Sequence, residues 1–231
     1  MIKTTNHIIR RSILLLALSE RIYLETLKED TKHREKDKEE LLAFLEHFDY
    51  MKFLSPKERD ILHAPIASLT PKDCCTFSYS YYSISVLLWS VGLLIDWQDE
   101  TVNYYELLQI NKNHSLADIA KKTSRLEVKE LTDNKDIALI IHWRTRVISA
   151  IDEKVKEQGI VPMIVQTFGK QYESLLSVIR QVNEDFMFGD MPFYKLSQEE
   201  KESVSLKLLW KHHAFEWLLS NEEWEDIYTT T

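Results

Sequence analysis

Apolar residues recur every three or four positions along most of this chain, and this spacing constrains the fold more than any other feature. Only four glycines and five prolines occur in 231 residues, and alternation of β-branched with polar residues is almost absent. A period near 3.6 puts apolar side chains on one side of an α-helix, whereas a strand needs a period of two. The sequence therefore predicts an all-α protein, folded as a single compact multi-helix domain over residues 1–231.

Capping signals indicate where two of the helices begin. Ser55 is followed by proline and then Glu58, and Ser197 and Glu200 repeat the serine-glutamate spacing. In this arrangement the serine side chain accepts from the glutamate amide, while the glutamate side chain accepts from the serine amide. Both sites therefore predict the first turn of a helix.

The middle of the chain contains a segment that predicts a central helix. It opens at Thr70, and the stretch CCTFSYSYYSISVLLWSVGLL carries apolar residues around most of a helical circumference, with Gly92 near its end. A further long helix is predicted from Ser124 to Gly159. Glycine and proline interrupt the helical pattern within residues 184–196, which predicts an irregular loop or a short hairpin there. Any subdivision of the domain is expected near 111–124.

Composition excludes several classes of partner. The formal charge of −8 argues against nucleic acid, because binding to a phosphate backbone needs clustered Lys and Arg. The basic and apolar N-terminus is interrupted by Glu20 and Arg21, so we interpret it as an amphipathic helix, and we expect no membrane partner. The adjacent Cys74 and Cys75 suit a reducing cytoplasm. No metal-ligand spacing or cofactor motif occurs, so we expect neither group, and the sequence leaves the oligomeric state undetermined.

Arg144 is the most anomalous residue in the sequence. Helical angles place it in the centre of an apolar face that runs from Ile137 to Ile151, whereas His142 and Arg146 are predicted to face outward. A buried guanidinium needs a carboxylate partner because an unpaired buried charge costs several kcal/mol. The predicted partners are acidic residues near the C-terminal helix, Glu216 or Asp226 first and Glu127 second. Arg144 then either forms a structural ion pair or binds an anion in a cleft.

The segment LLWKHHAFEWLL, residues 208–219, raises a similar choice. Helical angles put His213 near the middle of an apolar face, whereas His212 is predicted to point away and to meet Glu216 four residues later. His213 is then either a neutral imidazole packed among tryptophans or a catalytic base or metal ligand.

Four segments carry a resemblance to a known family: LSPKERDIL, FSYSYYSISVLLWSVGLL, DIALIIHWRTRV and KHHAFEWLLSNEEWEDIYTTT. In their order and spacing they resemble the bacterial domain of unknown function 4272, over most of the chain. The resemblance places the family's histidine on His213 and its late acidic residue on Asp226 or Glu225. The family's tryptophans fall on Trp89, Trp143, Trp217 and Trp224.

This chain departs from the family pattern at four positions. His212 stands where the resemblance leads us to expect arginine, and Glu216 where asparagine is common. Tyr79 and Tyr82 replace an expected tryptophan and glutamate. The resemblance implies an intracellular bacterial helical protein and no known reaction.

Two functions remain open from the sequence. The first is a non-catalytic accessory module, of which an immunity protein is one example, that binds a protein partner through its acidic surface. The second is an enzyme or small-ligand receptor with an anion-binding cleft. In that second case His213 or Glu216 would move a proton. The ligand-binding residues would be Arg144, Trp143, Trp217 and Asp226.

Overall fold

The computed structural model describes residues 3–108, 123–146, 148–177 and 184–229. Within them the chain is dominated by helices, joined by short turns and one two-stranded antiparallel hairpin. The predicted all-α class is therefore confirmed. Most of the stretch 111–124, where a subdivision was expected, lies outside the described residues.

The chain forms two compact units. The first comprises residues 1–126 with 217–227, and the second comprises residues 127–216 with 228–231. The single-domain prediction stays a prediction.

The first unit contains six α-helices among its described residues. They are α1 (Thr5–Thr26), α2 (Thr31–His47), α3 (Pro56–His63), α4 (Pro71–Ser80), α5 (Ser83–Ser90) and α6 (Tyr104–Leu107). Single 3-10 turns occur at Met51–Phe53 and Trp224–Asp226.

Helix α1 forms the centre of the first unit. It packs against α2, α3, α4 and α5, and every residue from 11 to 18 is buried. Because even Arg11 and Ser12 are enclosed, their polar atoms need internal partners. The Arg11 guanidinium donates two bonds to Glu58, at 3.2 and 2.5 Å, and the Ser12 hydroxyl donates to the Ile8 carbonyl. Glu58 also completes the predicted capping box with Ser55.

The predicted central helix is divided into α4 and α5. The break falls at Tyr81 and Tyr82, and all eight residues of α5 are buried. Serine hydroxyls on both sides of the break donate to carbonyls three residues earlier, from Ser80 to Phe77 and from Ser85 to Tyr82. Such local bonds compete with the helical ladder and favour a bend.

The turn after α3, residues 64–67, is held by side chains of α1 and α2. The Arg21 guanidinium donates to the Ala64 and Pro65 carbonyls at 2.9 and 3.2 Å. Glu35 and Glu25 accept from the Ile66 and Ala67 amides, each at 2.7 Å. Ala67 has a φ of +67°, which is uncommon for a residue with a Cβ. This turn therefore depends on partners far from it in sequence.

The second unit contains the remaining helices of the described residues. They are α7 (Val128–Arg146), α8 (Ile148–Gln158), α9 (Ile160–Phe168), α10 (Glu173–Leu176) and α11 (Gln198–Leu219), the last of which extends beyond the unit's boundary at residue 216. Further 3-10 turns occur at Lys170–Tyr172 and Phe193–Lys195. The long helix predicted from Ser124 to Gly159 thus begins at Val128, and its described residues form α7 and α8, on either side of residue 147.

The irregular segment before α11 contains the predicted hairpin. Strand β1 (Met187–Phe188) pairs antiparallel with β2 (Met191–Pro192) across a tight turn at Gly189. The serine-glutamate capping box at the start of α11 is also present, since Ser197 and Glu200 exchange bonds of 2.8 and 3.3 Å.

Gly92, after α5, occupies a position that only glycine fits. Its φ is +72°, and a Cβ there would lie 2.5 Å from the carbonyl oxygen of Ser124. The Ser124 and Leu126 amides donate to the Val91 and Ser90 carbonyls, so this part of the backbone is fixed against the end of α5. The contact cannot relax without loss of these bonds.

We expect Gly92→Ala to lower the free energy of unfolding by about 2–4 kcal/mol, because it combines an unfavourable φ with a backbone clash. Gly189→Ala is the matched control: its φ is +61°, but no atom lies within 4 Å of the added Cβ. Its cost is expected to be about 1 kcal/mol. Urea unfolding of both variants measures the difference, and equal losses would show that the Ser124 contact has no energetic role.

Candidate functional site

Arg144, on α7, is fully buried and holds two carboxylates. Its Nε donates to Asp185 Oδ1 at 3.0 Å, and its Nη2 donates to Asp185 Oδ2 at 2.7 Å. Nη2 also donates to Asp152 Oδ1, on α8, at 2.7 Å. The bidentate geometry matches the planar fork of guanidinium to the two oxygens of Asp185, which is the strongest arrangement for this pair.

Asp185 is itself fully buried and fully engaged. Besides Arg144, it accepts from the backbone amides of Phe186 and Tyr194, at 2.9 and 3.0 Å. Its carboxylate therefore fixes the ends of the hairpin segment as well as the guanidinium. Burying a charge is tolerated here because each oxygen has two donors.

Lys201, on α11, completes the network. Its ammonium donates to Asp152 Oδ2 at 2.8 Å and to the Tyr194 carbonyl at 3.3 Å. Burial alone would raise the pKa of Asp152, but the bonds from Lys201 and Arg144 outweigh it and hold that pKa below its usual value. The Phe193 ring is close to both cations, 4.8 Å from the Arg144 Cζ and 5.7 Å from the Lys201 Nζ. We call Arg144, Asp152, Asp185 and Lys201 the Arg144 network.

The partners predicted for Arg144 were wrong. Glu216, Asp226 and Glu127 do not form its ion pairs; Asp185 and Asp152 do. Asp185 lies in the irregular segment, where helical periodicity gives no orientation, and Asp152 lies two turns further along the same predicted helix. The expectation of a buried arginine paired with a carboxylate was correct.

A second polar chain contains two buried histidines. His142 Nδ1 and His212 Nδ1 lie 3.2 Å apart, and His212 Nε2 lies 3.2 Å from Glu216 Oε1. Glu216 in turn lies 3.4 Å from the Lys135 ammonium, where both side chains are partly exposed. The predicted contact of His212 with Glu216 is thus present, and it continues inward to His142.

The facing nitrogens constrain the tautomers of the two rings. Only one of two opposed Nδ1 atoms can carry the proton of their hydrogen bond. With one proton on each ring, His142 donates from Nδ1 to His212, and His212 donates from Nε2 to the Glu216 carboxylate. This arrangement gives each of the four atoms a hydrogen-bond partner.

Burial is the main reason why the pKa of His142 falls to about 3, and the neighbouring His212 and Arg146 lower it further. The bond from His212 lowers the pKa of Glu216 below its usual value, against the opposing effect of burial. The chain therefore runs from a neutral imidazole in the interior to an ionised carboxylate near the surface.

The outward orientation predicted for His142 was wrong, and His212, predicted to point away from the centre of the apolar face, is buried as well. His212 is 1% exposed, less than His213 at 9%, and His142 is also buried. All five residues from 211 to 215 are buried, so this part of α11 is covered around its circumference. Helical angles show which residues share a face, but they do not show whether that face is exposed to solvent. Arg146 is exposed, as predicted.

The other predicted site residues are distributed between the two units. Trp143 contacts Phe168 edge to face, and His213 contacts Trp210 at 5.1 Å between centroids. Both lie in the second unit, with Arg144 and Glu216. Trp217 and Asp226 belong to the first unit, where Asp226 is exposed. Their proposed roles in catalysis or ligand binding stay predictions.

Sequence reasoning missed Asp152, Asp185, Lys201 and His142 as members of these networks. Neither Lys201 nor His142 carried a signal in the sequence. A lysine in the first turns of a helix is usually exposed, and a histidine is compatible with either face of a helix.

The fold and these networks define an all-α protein whose second unit is organised around buried, mutually paired charges. A family model described as Domain of unknown function (DUF4272) matches residues 1–166, which is more than half of the chain. The chain therefore belongs to the DUF4272 family, as the resemblance predicted. The expected likeness in residues 211–231 lies beyond the matched range.

Neither curated proteins nor solved structures gave a significant match to the chain. Within the described ranges, no helix has the length and apolar character needed to cross a bilayer. The same residues contain no group of three or more His, Cys, Asp or Glu side chains placed to hold a metal ion.

We expect Arg144→Met to lower the free energy of unfolding by about 3–5 kcal/mol, because it leaves Asp185 buried without its cation. Adding Asp185→Asn should recover part of this loss, since the uncompensated charge is then removed. Arg146→Met, two residues away on the same helix and exposed, is the control and should change stability by less than about 0.5 kcal/mol. Similar losses at 144 and 146, measured by urea unfolding, would contradict the structural role of the Arg144 network.

The depressed pKa of His142 predicts acid sensitivity. The unfolded state binds a proton on this ring below about pH 6.5, whereas the folded state does so only near pH 3, so stability falls as pH decreases between these values. The contribution approaches about 1.4 kcal/mol per pH unit. His142→Asn should reduce the slope of unfolding free energy between about pH 5 and 6.5, whereas His63→Asn, at an exposed position, should not. Parallel slopes for wild type and His142→Asn would refute this prediction.

Proposed function

We propose that this protein is a non-catalytic module that binds another protein, as an accessory or immunity protein does. The observation that supports this proposal is an exposed isoleucine on an ordered, acidic loop of the first unit. Ile95 is 101% exposed, and it lies in the segment 93–103 that follows α5. We call this segment the acidic loop.

Several contacts order the acidic loop. Trp97 is buried and anchors its centre. Asp96 accepts from the Gln98 amide at 2.8 Å, and Asp99 accepts from the amide and the hydroxyl of Thr101 at 2.8 and 2.6 Å. A loop that is ordered before binding loses less conformational entropy when a partner docks.

Charge surrounds the exposed isoleucine. Asp96, Asp99 and Glu100 are all exposed on the same short loop, in a chain whose net charge is −8. An isolated exposed apolar side chain is ordinary on a protein surface. Here it combines with a fixed backbone and a charged surround, which is the layout of a small interface with an apolar centre and a polar rim. The partner that complements it is a basic protein with an apolar socket.

The alternative function, an enzyme or receptor with a cleft at Arg144 and His213, has less support. Arg144 has no exposed surface, and two carboxylates already balance its charge. The geometry favours a structural ion pair at this position, and no observation at His213 favours proton transfer.

A cytoplasmic location is part of the proposal. The free thiols of Cys74 and Cys75, the latter exposed, suit a reducing compartment. A bacterial host is the setting that the family resemblance implies.

The proposal predicts a specific crosslink at the acidic loop. A photoreactive amino acid, benzoylphenylalanine, is placed at position 95 in the full chain and expressed in the native host. A control chain carries it at position 23, where the natural tyrosine is also exposed. We expect a crosslinked protein of discrete mass at position 95 that is absent at position 23.

Charge neutralisation tests the second half of the proposal. Replacing Asp96, Asp99 and Glu100 by their amides should reduce the yield at position 95 several-fold, because rim charges steer association. Crosslinking at 95 no stronger than at 23 would refute the loop as a docking surface. A yield unaffected by neutralisation would refute a basic partner.

A further inference from the structure

A crevice in the first unit shares no residue with the acidic loop or with either polar network. It opens between the first turns of α1, the 3-10 turn at Phe53, the C-terminal end of α11 and the segment after it. Counting its open mouth, it encloses about 310 Å³. Cationic and aromatic side chains make up most of its lining: His7, Arg10, Arg11, Trp217 and Trp224.

Aromatic rings fix the two guanidinium groups of this crevice. The Arg10 Cζ lies 3.5 Å from the centroid of Phe53, and the Arg11 Cζ lies 4.5 Å from that of Trp224. Trp217 packs against Trp224 with 5.3 Å between centroids. The rings hold both cations in place through cation–π contacts, so their donors are oriented before any ligand arrives.

Three buried donors of the lining residues have no hydrogen-bond partner among the described residues. They are the Nε atoms of Arg10 and Arg11 and the indole Nε1 of Trp217. Trp217 is 1% exposed, and a buried indole N–H normally has an acceptor. All three donors belong to residues that line this one small space, so an acceptor-rich group bound there could satisfy them.

The two arginines differ in how their charge is balanced. Arg11 is paired with Glu58, and Glu225 lies 3.8 Å from it. Within the part of the chain that the structure describes, Arg10 forms no ion pair. The carboxylate that influences it is Asp49, which itself pairs with Lys52. Arg10 therefore supplies a fixed, uncompensated positive charge at the mouth.

Charges on the rim restrict the anion that can enter. Glu223 and Glu225 line the crevice, so a dianion would meet two like charges. His7 adds no positive charge near neutral pH, because burial and then the neighbouring Lys3 lower its pKa. A single negative charge is thus the best match to Arg10.

The mouth also offers apolar surface. Phe53 lines the crevice and is 39% exposed, and Leu14 contributes to the interior. An apolar body attached to the anion would cover this ring and gain the free energy of apolar burial.

We propose that this crevice binds a monocarboxylate that carries an apolar body. Arg10 pairs with the carboxylate, and the indole N–H of Trp217 donates to it. The apolar body lies over Phe53. Either a free arylalkanoate or the C-terminal carboxylate of a peptide supplies this chemistry.

The test is titration of the full chain with 3-phenylpropionate, followed by the indole N–H resonances in ¹H–¹⁵N spectra. The Trp217 resonance is identified by its loss in Trp217→Phe. We expect saturable shifts of that resonance with a Kd below about 1 mM, the range for a ligand of this size. Titration with N-acetylphenylalanine distinguishes the sources: tighter binding than 3-phenylpropionate indicates a peptide end, and weaker binding indicates a free acid.

One neutral probe and one anion of different charge test whether the crevice prefers a monocarboxylate. 3-Phenylpropionamide should bind at least about ten-fold more weakly, because it lacks the charge that pairs with Arg10. Inorganic phosphate should also bind more weakly, because of Glu223 and Glu225. Phosphate binding as tight as that of the carboxylate, or equal binding of the amide, would overturn the proposal.

Variants of Arg10 provide the decisive comparison. Arg10→Gln should weaken 3-phenylpropionate binding at least about ten-fold, and Arg10→Lys, which keeps the charge but loses the planar fork, should weaken it less. Arg59→Gln, at an exposed position in the same unit, should leave it unchanged. If Arg10→Gln does not fold, the comparison of Arg10→Lys with Arg59→Gln decides alone. Absence of a saturable shift in the wild-type chain would also overturn the proposal.

Discussion

The pairing of Arg144 with Asp185 is the interaction on which the second unit depends. A guanidinium and a carboxylate without solvent contact are stable only when they pair closely and further hydrogen bonds surround them, and the structure meets this need with Asp152, Lys201 and two backbone amides. The four side chains come from different segments: α7, α8, the hairpin region and α11. The ion pairs of the Arg144 network therefore fix how these four segments pack together. Apolar side chains of the surrounding helices fill the space around the network.

The central helix of the first unit also contains a buried charge that needs a partner. Enclosing α1 from 11 to 18 buries Arg11, whose charge Glu58 balances while also capping α3. Arg10, one residue earlier, has the Phe53 ring against it and, within the described ranges, no carboxylate paired with it. Arg11 therefore belongs to a structural ion pair, whereas Arg10 is available to a ligand. The proposed carboxylate crevice follows from that difference.

The sequence predicted the features that depend on local rules. The helices, both capping boxes, the interruption at 184–196 and the burial of Arg144 all follow from periodicity and from short-range hydrogen bonding. It did not predict that Asp185 pairs with Arg144, because the two are separated by 41 positions and Asp185 lies where no periodic pattern gives a direction. It also placed His142 facing outward, because helical angles assume a solvent-exposed side of α7 at this position, whereas both His142 and Arg144 are buried. The crevice could not be found either, because Arg10, Phe53 and Trp217 are distant in the chain. Trp217 was predicted to bind a ligand, but together with Arg144 and not with Arg10.

The turn at 64–67 has a different consequence. Its carbonyls and amides are held by Arg21, Glu25 and Glu35, which lie on α1 and α2. The conformation of this turn is thus specified largely by two neighbouring helices. An insertion or deletion within it would move its peptide groups out of register with these distant partners.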